Sequence, residues 1–384
     1  MSARQQQLRD QIGSDPNIAA ASLLQDLALL QPNERSRFGY KRAAKALAAG
    51  VDRSIAELVA EGTLREIPYV GASSERVATE LVRTGASTTV ARALDGSAQR
   101  GEVEKRRRFR RAYLSRYAMR LAMDAALATS IVARRHYLGD LQMHSTWSDG
   151  VESIAGLAEG ARALGWTRIG VTDHSYGLPI AGGMSMEAAR QQHREIDELN
   201  SRLGGGFRVY KGVEANILAD GSLDLQPDER GEFEYVIASP HSALRKEIDQ
   251  TPRMLAAVAL PGVAILGHPQ GRMYNNRPGV AADWRRVFRE AARRNVAIEI
   301  DGNWYRQDVD YELAALALEE DCIFALDSDA HSIVEYTFTD YAIAIGRVAG
   351  IPADRVVNCW DEARFDAWLE TRRKKQRTRR TTSH

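Results

Sequence analysis

Five histidines fall just beyond short apolar runs of β type: His144 in DLQMHSTWSDG, His174 in VTDHS, His241 in ASPHS, His268 in LGHPQGR and His331 in LDSDAH. Carboxylates accompany them: Asp149, Asp173, Glu214 in KGVEAN, Glu299 in IEIDGNWYRQD, and Asp329. Neutral imidazole and carboxylate together form the ligand set of Zn, Mn or Fe. The set is larger than one tetrahedral ion uses. It suits two or three divalent ions, with Glu214 able to bridge. Such a centre suits phosphoester hydrolysis: one ion lowers the pKa of a bound water, and the others neutralise phosphate and stabilise the leaving oxygen. No Ser or Cys nucleophile is required. Arg272, Arg306 and Lys211 lie close in sequence to these groups and are candidate phosphate clamps. Asp173, beside His174, is a candidate to orient ligands or move a proton.

For these residues to meet, the chain must bring the ends of its strands together. Candidate strands lie at 137–143, 168–172, 207–213, 234–239, 263–267, 296–300 and 323–327, with a possible late strand at 355–359. Helical stretches at 151–164, 185–203, 281–294 and 310–320 fall between them. Alternation of strand and helix implies a parallel sheet. About seven such units imply an α/β barrel, in which all strand carboxyl ends open on one face.

The stretch before Tyr137 reads differently. Leu23, Leu27 and Leu30 share one helical face, and 37–49, 53–61 and 74–83 are helix-like. A helical domain is expected over 1–99, then a basic linker helix over 100–136. Nine Lys or Arg residues stand between Arg100 and Arg120, including Arg106, Arg107 and Arg108. This run is either a solvated face or a phosphate-contacting helix. The catalytic domain is expected over 137–364, and a basic, disordered tail over 365–384.

Composition sets the outer bounds. The chain has 384 residues, 52 Lys plus Arg against 51 Asp plus Glu, and 44% hydrophobic residues. This is an ordinary globular balance, so any nucleic-acid contact must come from local clusters. No apolar run reaches the ~18 residues of a membrane span, and the first residues lack a secretory apolar core. The two cysteines, Cys322 and Cys359, lack metal-type spacing and read as buried free thiols. A cytoplasmic protein is expected, with no membrane partner and no oligomeric state implied.

The ordered motifs DLQMHSTWSDG, VTDHS, KGVEAN, ASPHS, LGHP and DSDAH resemble those of the PHP (polymerase and histidinol phosphatase) superfamily, across about residues 137–360. The resemblance implies a distorted seven-stranded β/α barrel and a trinuclear metal site. Carried onto this chain, one ion would take Gln142, His144, Glu214 and Asp329. A second would take Glu214, His241 and His268, and a third Asp149, His174 and His331. The family's first motif usually reads His-x-His, whereas Gln142 stands here in place of the first His. An amide oxygen is a neutral, weaker ligand.

The segments NERSRFGYKRAAKAL and SIAELVAEGTLREIPYVGASSERVATELVRTG resemble the small helical DNA-binding domain of family X DNA polymerases. Within them IPYVGASSERVATEL is similar to a helix-hairpin-helix motif, which implies backbone amides near Gly71 and Ser73 at a DNA phosphate. Tyr69 stands where that motif usually has its first glycine. Between Gly85 and Tyr137 the chain has no acidic pair on a strand, so no polymerase activity is expected.

These features imply a metal-dependent phosphoesterase acting on DNA, as a 3′–5′ exonuclease, a 3′-phosphatase or an abasic-site enzyme of repair. A small-molecule phosphatase of the histidinol-phosphatase kind shares the same metals and is the alternative. A non-catalytic DNA-binding protein is the third reading.

Overall fold

The computed structural model describes the backbone of residues 2–381 and the side chains as far as Arg372. It divides into two compact units, one of residues to Leu127 with Met273–Arg277, the other of the remainder.

In the first unit the described residues up to Leu127 form helices and no strand. A helical hairpin is built from Ile55–Glu61 and Ala72–Thr84. Its connection includes Tyr69, whose φ is 72°, and ends at Gly71, which caps the second helix without a side-chain hydrogen bond. A left-handed backbone is the conformation glycine adopts freely and a bulky residue rarely does. Glu80 ties the second helix to the next: it accepts from Ser87 Oγ at 2.6 Å, Thr89 N at 3.0 Å and Thr89 Oγ1 at 2.8 Å.

The expected linker helix over 100–136 is not continuous. Arg100–Arg108 and Arg116–Asp124 are separate α-helices, followed by a 3-10 turn at Arg134–His136. Of the nine Lys and Arg residues of the basic run, Arg110 is buried and six are exposed. Arg107 Nε lies 2.8 Å from Asp26 Oδ2, and Arg110, buried, lies 2.6 Å from Asp26 Oδ1. Asp26 is itself fully buried, so this pairing compensates an otherwise costly charge.

The second unit holds a six-stranded parallel sheet in sequential order: β1 (Arg168–Val171), β2 (Arg208–Asn216), β3 (Tyr235–Ser239), β4 (Val263–Leu266), β5 (Ala297–Asp301) and β6 (Phe324–Asp327). Except at Arg208 and Lys211, every strand residue is buried, as expected of parallel strands covered on both faces. Several connecting helices start on side-chain caps: Ser153 on Gly156 N, Ser185 on Ala188 N, and Asp310 on Glu312 N and Leu313 N.

The expected first strand, 137–143, is not a strand. Met143 alone makes parallel bridges, to Val171 on one side and to Ala330 on the other. Toward β1 the seam keeps backbone bonds, such as Gly170 N to Asp140 O at 2.8 Å, but toward β6 side chains take their place. Asp327 Oδ1 accepts from Leu141 N at 2.9 Å, and Asp140 Oδ2 accepts from Ser328 N at 3.1 Å. Asn358 Nδ2 donates to Asp327 Oδ1 at 2.8 Å. Gly139, at φ 157°, passes so near the Arg168 carbonyl that any Cβ would collide with it. The possible late strand at 355–359 is likewise a pair of 3-10 turns, with one bridge from Val356 to Phe324.

Tyr235 fills the interior and donates to Leu141 O at 2.5 Å. A Cβ at Gly170 would lie 1.7 Å from the Tyr235 hydroxyl, so that position admits only glycine. The core continues onto the helix Glu362–Thr381, where Phe365, Trp368 and Leu369 are buried beside Tyr210, Tyr235 and Ile237. The expected disordered tail is corrected over 365–372, because those aromatic residues bury against the sheet. The rest of that tail lies outside the described side chains. Cys322 is buried and Cys359 half-buried, both as free thiols. Among the described residues no helix is long and apolar enough to cross a membrane.

Candidate metal centre

The strands are parallel, so the segments that follow them emerge on one face. His144 and Asp149 follow the seam segment, His174 follows β1, His241 follows β3, His268 follows β4, and Asp329 and His331 follow β6. Glu214 differs in lying within β2, paired in register with Ile237. Its carboxylate is fully buried, and both oxygens lack a hydrogen-bond partner.

Four imidazoles surround that carboxylate. His241 Nε2 and His268 Nε2 each lie 3.3 Å from Oε1. His174 Nδ1 lies 3.1 Å and His144 Nε2 3.5 Å from Oε2. His144 Nε2 is also 3.1 Å from Asp329 Oδ1, and Gln142 Nε2 is 3.4 Å from the same oxygen. Asp149 Oδ1 completes the rim, 3.4 Å from His331 Nε2 and 3.7 Å from His174 Nε2. All nine expected donors thus lie in one connected cluster. Their ligand atoms form groups within 4.8 Å of one another: His144–Asp149–His174–His331, His174–Glu214–His241 and His144–Glu214–Asp329.

These residues fit divalent ions. A buried carboxylate with two orphaned oxygens is costly, and cations among the converging imidazoles would satisfy both. The Gln142 Oε1 atom and the Nδ1 atoms of His144 and His268 are orphaned as well.

The electrostatics follow from crowding. Against its burial, the imidazoles of His174, His241 and His268 hold Glu214 well below the usual carboxylate range. Burial pushes His174 down to about 4 and, with Arg306 beside it, His268 down to about 3, which leaves both rings neutral and able to bind metal. Against its burial, His331 is pushed up to about 10 by the Asp149 carboxylate.

The candidate clamps separate. Arg306 reaches the cluster: its Nε is 3.5 Å from Asp301 Oδ2 and its NH2 3.3 Å from Asp329 Oδ2. Arg272 does not serve as a free clamp, because it is buried and ion-paired with Asp310. Lys211 pairs with Asp197 at 2.5 Å on a connecting helix. Asp173 is fully buried. It accepts from Ser145 N at 2.8 Å, Ser145 Oγ at 2.6 Å, Ser148 Oγ at 2.5 Å and Gln192 Nε2 at 2.6 Å, and so fixes the segment that carries His144 and Asp149. Of the candidate nucleic-acid contacts, Gly71, Ser73, Arg107 and Arg108 are exposed. Arg106 is ion-paired with Glu102 at 2.6 Å, and Arg107 with Asp26 as described, so neither presents a free cation.

Three partners, Asn216, Asp224 and Asp301, were not found from sequence, whereas Glu299 was among the expected carboxylates. Asn216 Oδ1 bonds His241 Nδ1 and thereby aims Nε2 at Glu214. Asp224 in turn holds Asn216, accepting from its N at 2.9 Å and its Nδ2 at 2.7 Å. Glu299 accepts from His268 N and faces its Nδ1 at 3.4 Å. Asp301 joins His268 and Asp329 in a further group. Asp301 ends β5, a position that could have flagged it. Nothing local marks Asn216.

No family model matches the chain. Over 233 residues it is 39% identical to the DNA polymerase/3′-5′ exonuclease PolX of Bacillus subtilis, covering 60% of this chain and 41% of that protein. It is 30% identical over 172 residues to a probable phosphatase of Photobacterium profundum (44% of this chain, 65% of the relative). A probable phosphatase of Syntrophotalea carbinolica is 26% identical over 238 residues and is covered to 94%, with 59% of this chain matched. A crystal structure of histidinol phosphate phosphatase from Lactococcus lactis, complexed with Zn, L-histidinol and phosphate, superposes with a TM-score of 0.41 at 17% identity, over 56% of this chain and 94% of that one. The chain thus spans less than half of the polymerase relative and about two thirds, 65%, of the Photobacterium phosphatase. The relatives fit the resemblance read from the motifs, a PHP-type domain joined to a segment like the start of a family X polymerase.

Proposed function

We propose that this chain is a metal-dependent hydrolase of phosphoester bonds in DNA, acting at strand ends or damaged sites and lacking nucleotidyl transfer. The observation that carries the reading is Glu214, a buried carboxylate with no hydrogen-bond partner and four imidazoles within 3.5 Å.

Gln142, His144, Asp149, His174, Glu214, His241, His268, Asp329 and His331 would hold two or three divalent ions, Zn, Mn or Fe. When bound, the ions supply Lewis acidity toward phosphoryl oxygens and lower the pKa of water. The chain's own groups do the rest. Asn216 holds the imidazole of His241 in the orientation that faces Glu214, and Glu299 holds the backbone that carries His268. Asp173 fixes the segment carrying His144 and Asp149. Arg306, with a fifth of its side chain exposed, offers a guanidinium to an anionic phosphoryl group beside Asp329.

DNA as the substrate is supported by the polymerase/exonuclease relative and by the helical hairpin. Tyr69 adopts the left-handed turn of that motif in place of a glycine, and the exposed start of the helix at Gly71, Ala72 and Ser73 suits a phosphate. Between Gly85 and Tyr137 the described residues form only short helices, which offer no strand for paired catalytic aspartates.

The test is one assay in Mn²⁺ with wild type and His174→Ala, on 5′-labelled DNA and on a panel of small phosphomonoesters. Stepwise shortening of DNA, lost in the variant, is expected. Phosphate release from small esters alone would instead favour a small-molecule phosphatase, the activity in the names of the phosphatase relatives. Silence on both substrates would overturn the proposal.

A further inference from the structure

The helix Glu34–Lys45 of the first unit is unusual in what it leaves in solvent. It carries Arg35, Arg37, Lys41, Arg42 and Lys45 against a single acid, Glu34, and all five cations are exposed. Phe38, on the same helix, is 58% exposed, and Tyr69, in the hairpin turn, is 62% exposed. Arg42 lies between these two aromatic residues, its guanidinium carbon 4.8 Å from the centroid of each ring. Tyr69 also holds the left-handed backbone at φ 72°, a conformation disfavoured for an aromatic side chain.

We infer that Phe38, Arg42 and Tyr69 form a stacking platform for an unpaired nucleobase, so that the first unit engages single-stranded nucleic acid. The argument rests on the complementarity of the patch. The two rings spend one side each on the guanidinium and leave further surface to solvent. A flat partner is therefore required, and every base has a π face. The surrounding cations require that partner to be anionic, as a phosphate backbone is. In a duplex the bases already stack on one another, so only an unpaired base can reach the rings. An acidic peptide matches the charge of the patch but not the two exposed rings.

The inference rests on DNA being the substrate and names the form in which it is held. The test uses the full chain in EDTA, so that nothing is hydrolysed, and reads fluorescence anisotropy. The probes are a labelled single-stranded oligonucleotide, a blunt duplex of the same sequence and a labelled poly-glutamate peptide. Wild type is expected to bind the single strand at least tenfold more tightly than the duplex. Phe38→Ala and Tyr69→Ala are each expected to weaken single-strand binding about tenfold, and Phe38→Ala to leave duplex binding unchanged. Tyr69→Trp should restore it. Equal affinity for strand and duplex, unchanged binding by both alanine variants, or preference for the peptide would overturn the inference. Hydrolysis of bis(p-nitrophenyl) phosphate in Mn²⁺ separates the two claims. If it persists without strand preference, the platform alone fails. If it is absent while strand preference holds, the platform stands and the phosphoesterase reading fails.

Discussion

The Arg306 guanidinium lies 3.3 Å from Oδ2 of Asp329, while Oδ1 of the same carboxylate faces His144 at 3.1 Å. One carboxylate is thus shared between a fixed cation and the cluster of candidate ligands. Against its burial, Arg306 then His144 hold Asp329 far below the usual range. Replacing Arg306 by Met is expected to lower kcat/KM on the order of 10²-fold with ion content unchanged. Arg306→Lys should not restore the rate, because a point charge cannot reproduce the guanidinium fork. Steady-state kinetics beside elemental analysis checks both; a variant that loses its ions would make Arg306 a structural group only.

Glu214 offers two buried oxygens without partners, so divalent ions should stabilise the fold strongly. At an ion concentration one hundred times Kd the gain is about 2.7 kcal/mol. Chelation is expected to lower the melting temperature of wild type, and Glu214→Gln should abolish that response. Scanning fluorimetry with and without chelator reads it. A metal-dependent rise that survives in Glu214→Gln would remove this residue from the centre.

Asn216 sets the ring of His241 from the end of β2. Asn216→Ala should weaken ion affinity by roughly 10–100-fold without unfolding the chain, and Asn216→Asp, which keeps the acceptor, should weaken it less. Competition with a fluorescent chelator measures the difference. Equal affinity in all three proteins would show that His241 needs no such support.

Gln142 stands 3.4 Å from Asp329 with an orphaned oxygen on its own amide. Gln142→His puts a stronger donor there. The variant should lose its ions to chelator several-fold more slowly than wild type. Identical loss rates would mean that position 142 contributes nothing to holding them.

Glu80 supplies a pH dependence away from the centre. The hydroxyl of Ser87, then the amide and hydroxyl of Thr89, hold its carboxyl down to about 2 from an ordinary 4.5. Its folded pKa is depressed, so its contribution is complete above about 4.5 and is lost as pH falls through about 2. Glu80→Gln should lower the urea midpoint at pH 6 and converge on wild type near pH 2. A constant gap across that range would assign the effect to packing.

The sequence was informative about the centre because most donors sit just beyond an apolar run, and the direction of a parallel sheet does the rest. His144, His174, His241, His268 and Asp329 could be read for that reason. Arg272 could not be separated from Arg306, because its partner Asp310 lies in another segment and only folding brings the pair together. The seam was misread as a strand for a related reason. YLGDLQM has the right apolar pattern, but on the side facing β6 the carboxylates of Asp140 and Asp327 take the hydrogen bonds that a ladder would use. In the last helix the basic residues masked Phe365, Trp368 and Leu369, which are spaced for one buried face.

The seam also has a consequence for the order of events during synthesis. Met143 bridges to both ends of the sheet, and His144, beside it, is 185 residues from its partner Asp329. His174, Glu214, His241 and His268 leave the ribosome well before Asp329 does. An emerging chain can therefore assemble the donors around Glu214 while the ring is still open. The His144–Asp329 share of the centre forms only when β6 docks, so completion of that share reports that translation has passed the last strand.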